Sequence, residues 1–179
     1  MAAEGLVEDP LFHQRYRFSR DGDTQRVEIW SDPGGGVTVE HLHPHFEERF
    51  EVYEGEVTFK VDGEEQKLGP GGRLAAAPGV SHSFENRGSG QAHLAAEVDT
   101  DLPLLKSIEE AAAMAQAGKF TSGGLPRGPS ALLEAAEFAH RYRETTVLTS
   151  PPAFVQRILF PPLLWLQRRR RRAEPDTGD

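Results

Sequence analysis

The chain has 179 residues, enough for one sizeable core and too few for two ordinary domains plus a linker. It contains no cysteine, which excludes disulfide scaffolds, thiolate metal sites and cysteine nucleophiles. The net charge of −8 is uneven: residues 1–100 hold 9 Lys and Arg against 19 Asp and Glu (−10), and residues 101–179 hold 11 against 9 (+2). A basic face for nucleic acid is therefore missing from the first part.

Residues 1–13 read as a flexible polar leader. Met1–Gly5 has neither a basic start nor an apolar run, so it is not a secretory signal. No stretch reaches the ~18 consecutive apolar residues of a spanning helix. With no cysteine to oxidise, a cytoplasmic location is the expectation. From Gln14 the pattern alternates: Tyr16 and Phe18, a turn at Asp21-Gly22-Asp23, then Val27 and Ile29 up to Trp30, a hairpin signal. Asp32-Pro33-Gly34-Gly35-Gly36 breaks the chain again.

Further short strands are expected over Val37–His43, Arg49–Tyr53, Glu56–Val61, Gln66–Leu68, Arg73–Ala77, Ser81–Glu85 and Gln91–Val98. Short strands at regular spacing, cornered by Gly and Pro, predict an all-β antiparallel sandwich or barrel over 14–98. After Asp99 the pattern turns helical, and 99–172 reads as a helical extension. Ser107-Ile108-Glu109-Glu110 has capping-box spacing, with Gly118 as a stop. A second helix is predicted over Ser130–Arg143, with Leu132, Leu133, Ala136, Ala139 and His140 on one stripe. A third is predicted from Ser150-Pro151-Pro152, with Phe154, Ile158 and Leu159 on its apolar face, ended or kinked by Pro161-Pro162. Residues 173–179 read as a disordered tail.

Chemistry concentrates in His41-Leu42-His43-Pro44-His45-Phe46-Glu47-Glu48. Two histidines one residue apart share a strand face, Glu48 follows five residues after His43, and His82 supplies a third imidazole downstream. Three imidazoles and a carboxylate without a thiolate suit one divalent ion, Fe(II), Mn, Ni, Co or Zn. For any one histidine the simpler reading is a satisfied polar or surface group, but four ligand-type residues in register argue against it. Pairing His43 with His45 would put Phe50 in the carboxylate position, so His45 is a solvated loop residue or a group behind the ligands. His93 should face outward, and His13 and His140 carry no motif.

The spacing resembles the cupin superfamily in both of its signatures. Gly35, His41-Leu42-His43, Glu48 and Gly55 match the first. Gly71, Ala77-Pro78-Gly79-Val80-Ser81-His82 and Asn86 match the second, with Ala77 where the family usually has Pro. The resemblance covers about residues 25–98. It implies a double-stranded β-helix (jelly-roll) barrel whose metal ligands are His41, His43, Glu48 and His82. The tail resembles the helical extension of a group of small bacterial cupins, at Gly118-Lys119, Gly124-Leu125-Pro126 and the later Pro-Pro and Val-Gln-Arg stretches. Barrels of this family commonly form homodimers.

Two functions are implied. One is a metal-dependent enzyme, dioxygenase-like, on a small organic molecule, with Glu48 also able to act as a catalytic base; isomerase, decarboxylase and cyclase chemistry occurs on related barrels. The other is a non-enzymatic sensor or carrier whose helical tail contacts a partner or membrane. Residues 153–172, ending in Arg168–Arg172, could lie on a membrane surface. Their apolar run is short and broken by two prolines, which favours folding back over the barrel or a partner.

Overall fold

The computed structural model describes residues 5–150, Ile158, 161–167 and Arg169. Its organising unit is the predicted hairpin: β2 (Gln14–Asp21) and β3 (Thr24–Ser31) pair antiparallel across Gly22-Asp23, with Tyr16 opposite Ile29 and Phe18 opposite Val27. Gly22 takes φ +58°, the left-handed backbone that a two-residue turn requires. One strand precedes the hairpin. Residues 7–9, inside the stretch expected to be a leader, form β1 (Val7–Asp9) on the edge of β2. The buried Asp9 carboxylate accepts the amides of Leu11 and Phe12 and the Tyr16 hydroxyl, which holds this segment in place.

The remaining strands are β4 (His41–Leu42), β5 (Glu48–Glu54), β6 (Val57–Val61), β7 (Glu64–Leu68), β8 (Arg73–Ala76), β9 (His82–Glu85), β10 (Ala92–Asp99) and β11 (Val147–Leu148). They build two antiparallel sheets, one ordered β1-β2-β3-β10-β5-β8 and the other β11-β4-β9-β6-β7. Alternation decides which side chains meet between them. On β5, Glu48, Phe50 and Val52 are buried while Arg49, Glu51 and Tyr53 are not. Phe50 and Val52 join Val57, Phe59, Phe84 and Leu94 in the main core. This all-β barrel with a C-terminal helical extension is the expected class.

The strand expected over Val37–His43 is shorter, only His41–Leu42. The chain before it is pressed against the segment 84–86: Phe84 N–H donates to Val37 O at 3.0 Å, and Asn86 N–H donates to Gly35 O at 2.8 Å. Gly36, at φ +146°, lies so close to the Phe84 carbonyl that a Cβ there would collide with it. Tight backbone contact replaces a regular ladder.

Helix α1 (Leu104–Gln116) begins a turn before the expected Ser107. The capping box is not used: Ser107 is buried inside the helix and its hydroxyl donates to Leu104 O. Gln25 from β3 supplies the anchoring instead, bonding the carbonyls of Thr100 and Leu102 and the amide of Leu105. Gly118 follows the helix at φ +68°, as a stop should. Helix α2 (Gly128–Arg141) buries Ala131 and Ala136, whereas Leu132, expected on the inner stripe, is 44% exposed.

Strand β11 was not expected. It pairs with β4, Val147 opposite Leu42 and Leu148 opposite His41. Of the predicted third helix, Ile158 and residues 161–167 are helical, with Pro161 and Pro162 at the head of the second run; the link between the two lies outside the described residues. Phe154, Leu159 and the 173–179 tail lie outside the described residues, as does most of Arg168–Arg172. Among the described residues no helix is long and apolar enough to cross a membrane.

Candidate metal centre

The site forms where the two sheets face each other. His41 and His82 are cross-strand partners on β4 and β9, which brings their ring centroids to 4.4 Å. His43 follows β4 directly, and its carbonyl accepts the Gly79 amide at 2.8 Å. Glu48 opens β5 in the opposite sheet. One atom from each of His41, His43, Glu48 and His82 lies within 4.8 Å of all the others. The four residues are 9%, 3%, 7% and 2% exposed, so bulk water has little access to the cluster. Phe46 stacks on His43 at 4.7 Å, and Phe50 lies 6.0 Å from His82, which puts aromatic surface against the imidazoles.

Each imidazole is held through Nδ1. His41 donates to Val39 O at 3.0 Å, His82 to Val80 O at 3.0 Å, and His43 to Thr145 O at 2.6 Å. A carbonyl only accepts, so the proton sits on Nδ1 and every Nε2 offers a lone pair. Nε2 of His43 and of His82 then face the same Glu48 oxygen at 3.0 and 2.8 Å. Lone pair against lone pair is repulsive unless a cation or a proton stands between. The donor set and its tautomers therefore fit a divalent metal ion, with the carbonyls fixing ring orientation. All donors are nitrogen or oxygen, which suits Fe(II), Mn, Co, Ni or Zn and does not choose among them.

Electrostatics point the same way. Burial, then the neighbouring His82 and His43, push the His41 imidazole down to about 3, so it stays neutral and free to ligate. Burial alone would raise the Glu48 carboxyl; its contacts with His43 and His82 outweigh that and hold it well below the usual carboxylate range. Burial likewise pushes His43 down, but Glu48 and the Thr145 carbonyl more than reverse it.

All four residues expected from the sequence come together here. The turn before His82 forms with Ala77 in place of proline, Val80 N–H donating to Ala77 O at 3.0 Å. His45 lies outside the cluster, exposed and paired with Glu144 at 2.9 Å. His93 is on the outer face of the larger sheet, stacked on Trp30 with centroids 4.5 Å apart. Thr145 was missed. Its contribution is a main-chain carbonyl, which no residue type announces.

Residues 28–99 match the family model of the cupin domain. A search of curated proteins finds no match. Among solved structures, the chain is similar to an RmlC-like cupin from Shewanella frigidimarina, at 22% identity over 57% of this chain and 90% of that one, with a TM-score of 0.50. It is also similar to KdgF from Halomonas sp. (18% identity, 55% and 90% covered, TM-score 0.48). A sugar phosphate isomerase of the cupin superfamily from Silicibacter pomeroyi is a third (18% identity, 57% and 69% covered, TM-score 0.49). Identities this low speak to the fold alone.

Proposed function

The barrel of this chain is a cupin domain, and on that premise we propose that it is a mononuclear metal enzyme, dioxygenase-like, acting on a small organic molecule. The observation that supports this most is the common orientation of the three imidazoles, each pinned through Nδ1 so that three Nε2 lone pairs and the Glu48 carboxylate converge. His41, His43, Glu48 and His82 would hold a divalent ion, which would supply Lewis acidity toward a small organic substrate. His41, His43 and His82 orient that ion as neutral donors. Glu48, held ionised by His43 and His82, would add the negative charge that balances the ion. Phe46 and Phe50 keep water from the reacting atoms. The working form is taken to be a homodimer, which sedimentation velocity checks.

The test is elemental analysis of the purified protein, followed by oxygen-electrode measurements of the metal-loaded protein with a panel of small organic acids, phenols and sugars. The reading expects about one divalent ion per chain and substrate-dependent oxygen uptake that Glu48→Gln abolishes. A protein with no bound metal after purification and after reconstitution would falsify it. The near-complete burial of all four ligand residues favours a second reading, a metal-bearing sensor or carrier. Stoichiometric metal with no turnover of any panel member selects that alternative.

A further inference from the structure

We propose that the segment 144–149 is a built part of the metal centre, so that its docking on the barrel and metal binding strengthen each other. The inference rests on the metal reading above. Two of the three imidazoles are oriented by carbonyls two residues earlier, in the segments that lead into their strands, Val39 for His41 and Val80 for His82. His43 has no such local partner. Its Nδ1 is held by Thr145 O at 2.6 Å, 102 residues away in sequence, with the Thr146 hydroxyl at 3.4 Å.

The same segment grips the other histidine of the pair from behind. Strand β11 adds to the edge of β4, placing Leu148 opposite His41. The amide and hydroxyl of Thr149 both donate to the carbonyl of Glu40, the residue before His41, at 3.0 Å each. At the other end, the amides of Thr145 and Thr146 both donate to Tyr142 O at 2.8 Å, and the Tyr142 hydroxyl reaches Glu110 on α1. Thr145 is buried to 1% exposure. The segment thus bridges the helical extension and two ligand residues, with a paired strand of only two residues to hold it. Thr145 is a positioning residue: it acts on the ion through His43.

Two consequences follow from linkage. A segment that fixes the tautomer and direction of a ligand raises metal affinity, and by reciprocity the ion stabilises the docked segment. The extension then reports whether the barrel is loaded, on a timescale that hydrogen exchange reads.

The experiment uses the full chain, stripped with a chelator and then loaded with Zn(II). Hydrogen exchange should slow by roughly tenfold or more across the amides of 145–149 on loading. Full-length Val147→Pro, which removes an amide from β11 and restricts Thr146, should raise the Zn(II) dissociation constant about 10–100-fold. Stoichiometry should still reach one ion per chain at high Zn(II). If Val147→Pro does not fold, Thr149→Ala, which loses one of the two bonds to Glu40, gives a smaller shift in the same direction. One Zn(II) bound per native chain with unchanged exchange at 145–149 overturns the proposal while leaving the metal reading intact. So does native-like affinity in the folded variant. Failure of the native chain to bind Zn(II) removes both.

Discussion

His41 and His82 on one hand, and His43 on the other, reach the same orientation by different routes. The first two are aimed by carbonyls at i−2, Val39 and Val80, in the segments leading into β4 and β9; both acceptors belong to the barrel. The third is aimed by a carbonyl from the extension, and a barrel folded without that extension would lose the acceptor that fixes its tautomer, leaving the ring to the Phe46 stack and Glu48. The contrast extends to how the two regions are built. The barrel core holds large side chains, Phe50, Phe59, Phe84 and Leu94 among them, whereas the fully buried apolar residues of α1 and α2 are Leu104 and four alanines, Ala112, Ala115, Ala131 and Ala136. Apolar burial scales with area, so hydrophobic packing anchors the barrel strongly, and directional hydrogen bonds carry more of the weight in the extension.

The comparison predicts that removing a locally aimed ligand has the largest effect of any single change. His82→Ala deletes one of two imidazoles facing the same Glu48 oxygen and should abolish stoichiometric metal by elemental analysis. Full retention of metal in that variant sinks the four-ligand site. Next comes the core: Phe59, 1% exposed and packed against Phe50 and Phe84, should cost about 3–5 kcal/mol when replaced by alanine. Urea unfolding of His82→Ala and Phe59→Ala side by side separates a site lesion from a packing lesion. The first should lose metal with a modest change in midpoint, the second should shift the midpoint strongly.

Which parts could be read from the sequence follows from the same division. Strand alternation gave the parity of Glu48, Phe50 and Val52, and the spacing of His41, His43, Glu48 and His82 carried the site, because both are properties of side chains in a repeating backbone. The strand over Val37–Glu40 failed because Gly36 brings the backbone against Phe84, a contact distant in sequence. The capping box at Ser107 failed because Gln25, on β3, fixes the start of α1 a turn earlier. Strand β11 and the Thr145 carbonyl were illegible for a deeper reason. A two-residue strand carries no periodicity, and a main-chain acceptor has no residue identity.

Acid should affect the metal-free barrel with a definite sign. His41 titrates near 3 when folded against an ordinary 6.5. Between those values the unfolded chain holds a proton that the folded chain lacks, so stability falls as pH drops from about 6.5, by up to ~1.4 kcal/mol per pH unit. Glu48, held low when folded, adds a loss of the same sign below its ordinary 4.5. His43 runs the other way: raised when folded, it contributes stability below 6.5 that disappears as pH rises through its folded value. Metal-free protein should therefore be most stable near neutrality, as melting temperature against pH will show. His41→Gln should flatten the limb between 6.5 and 4.5. A melting temperature that rises on acidification through that range contradicts the assignment.

Smaller effects probe the extension. Tyr142→Phe removes the hydroxyl bond to Glu110 and should cost about 0.5–1.5 kcal/mol in urea unfolding. It leaves the backbone carbonyl that anchors Thr145 and Thr146 in place, so metal affinity should change little. The least effect is expected at His45. Its ring reaches Glu144 at 2.9 Å, next to Thr145, yet both side chains are more than half exposed, where water and salt screen the pair. His45→Ala should bind Zn(II) as the native chain does, and 0.5 M NaCl should leave that affinity unchanged in both. A loss approaching that of Val147→Pro would mean that the ion pair at the surface, and not the buried carbonyl, holds the segment against the barrel. The route by which His43 is aimed would then have to be redrawn from the outside in.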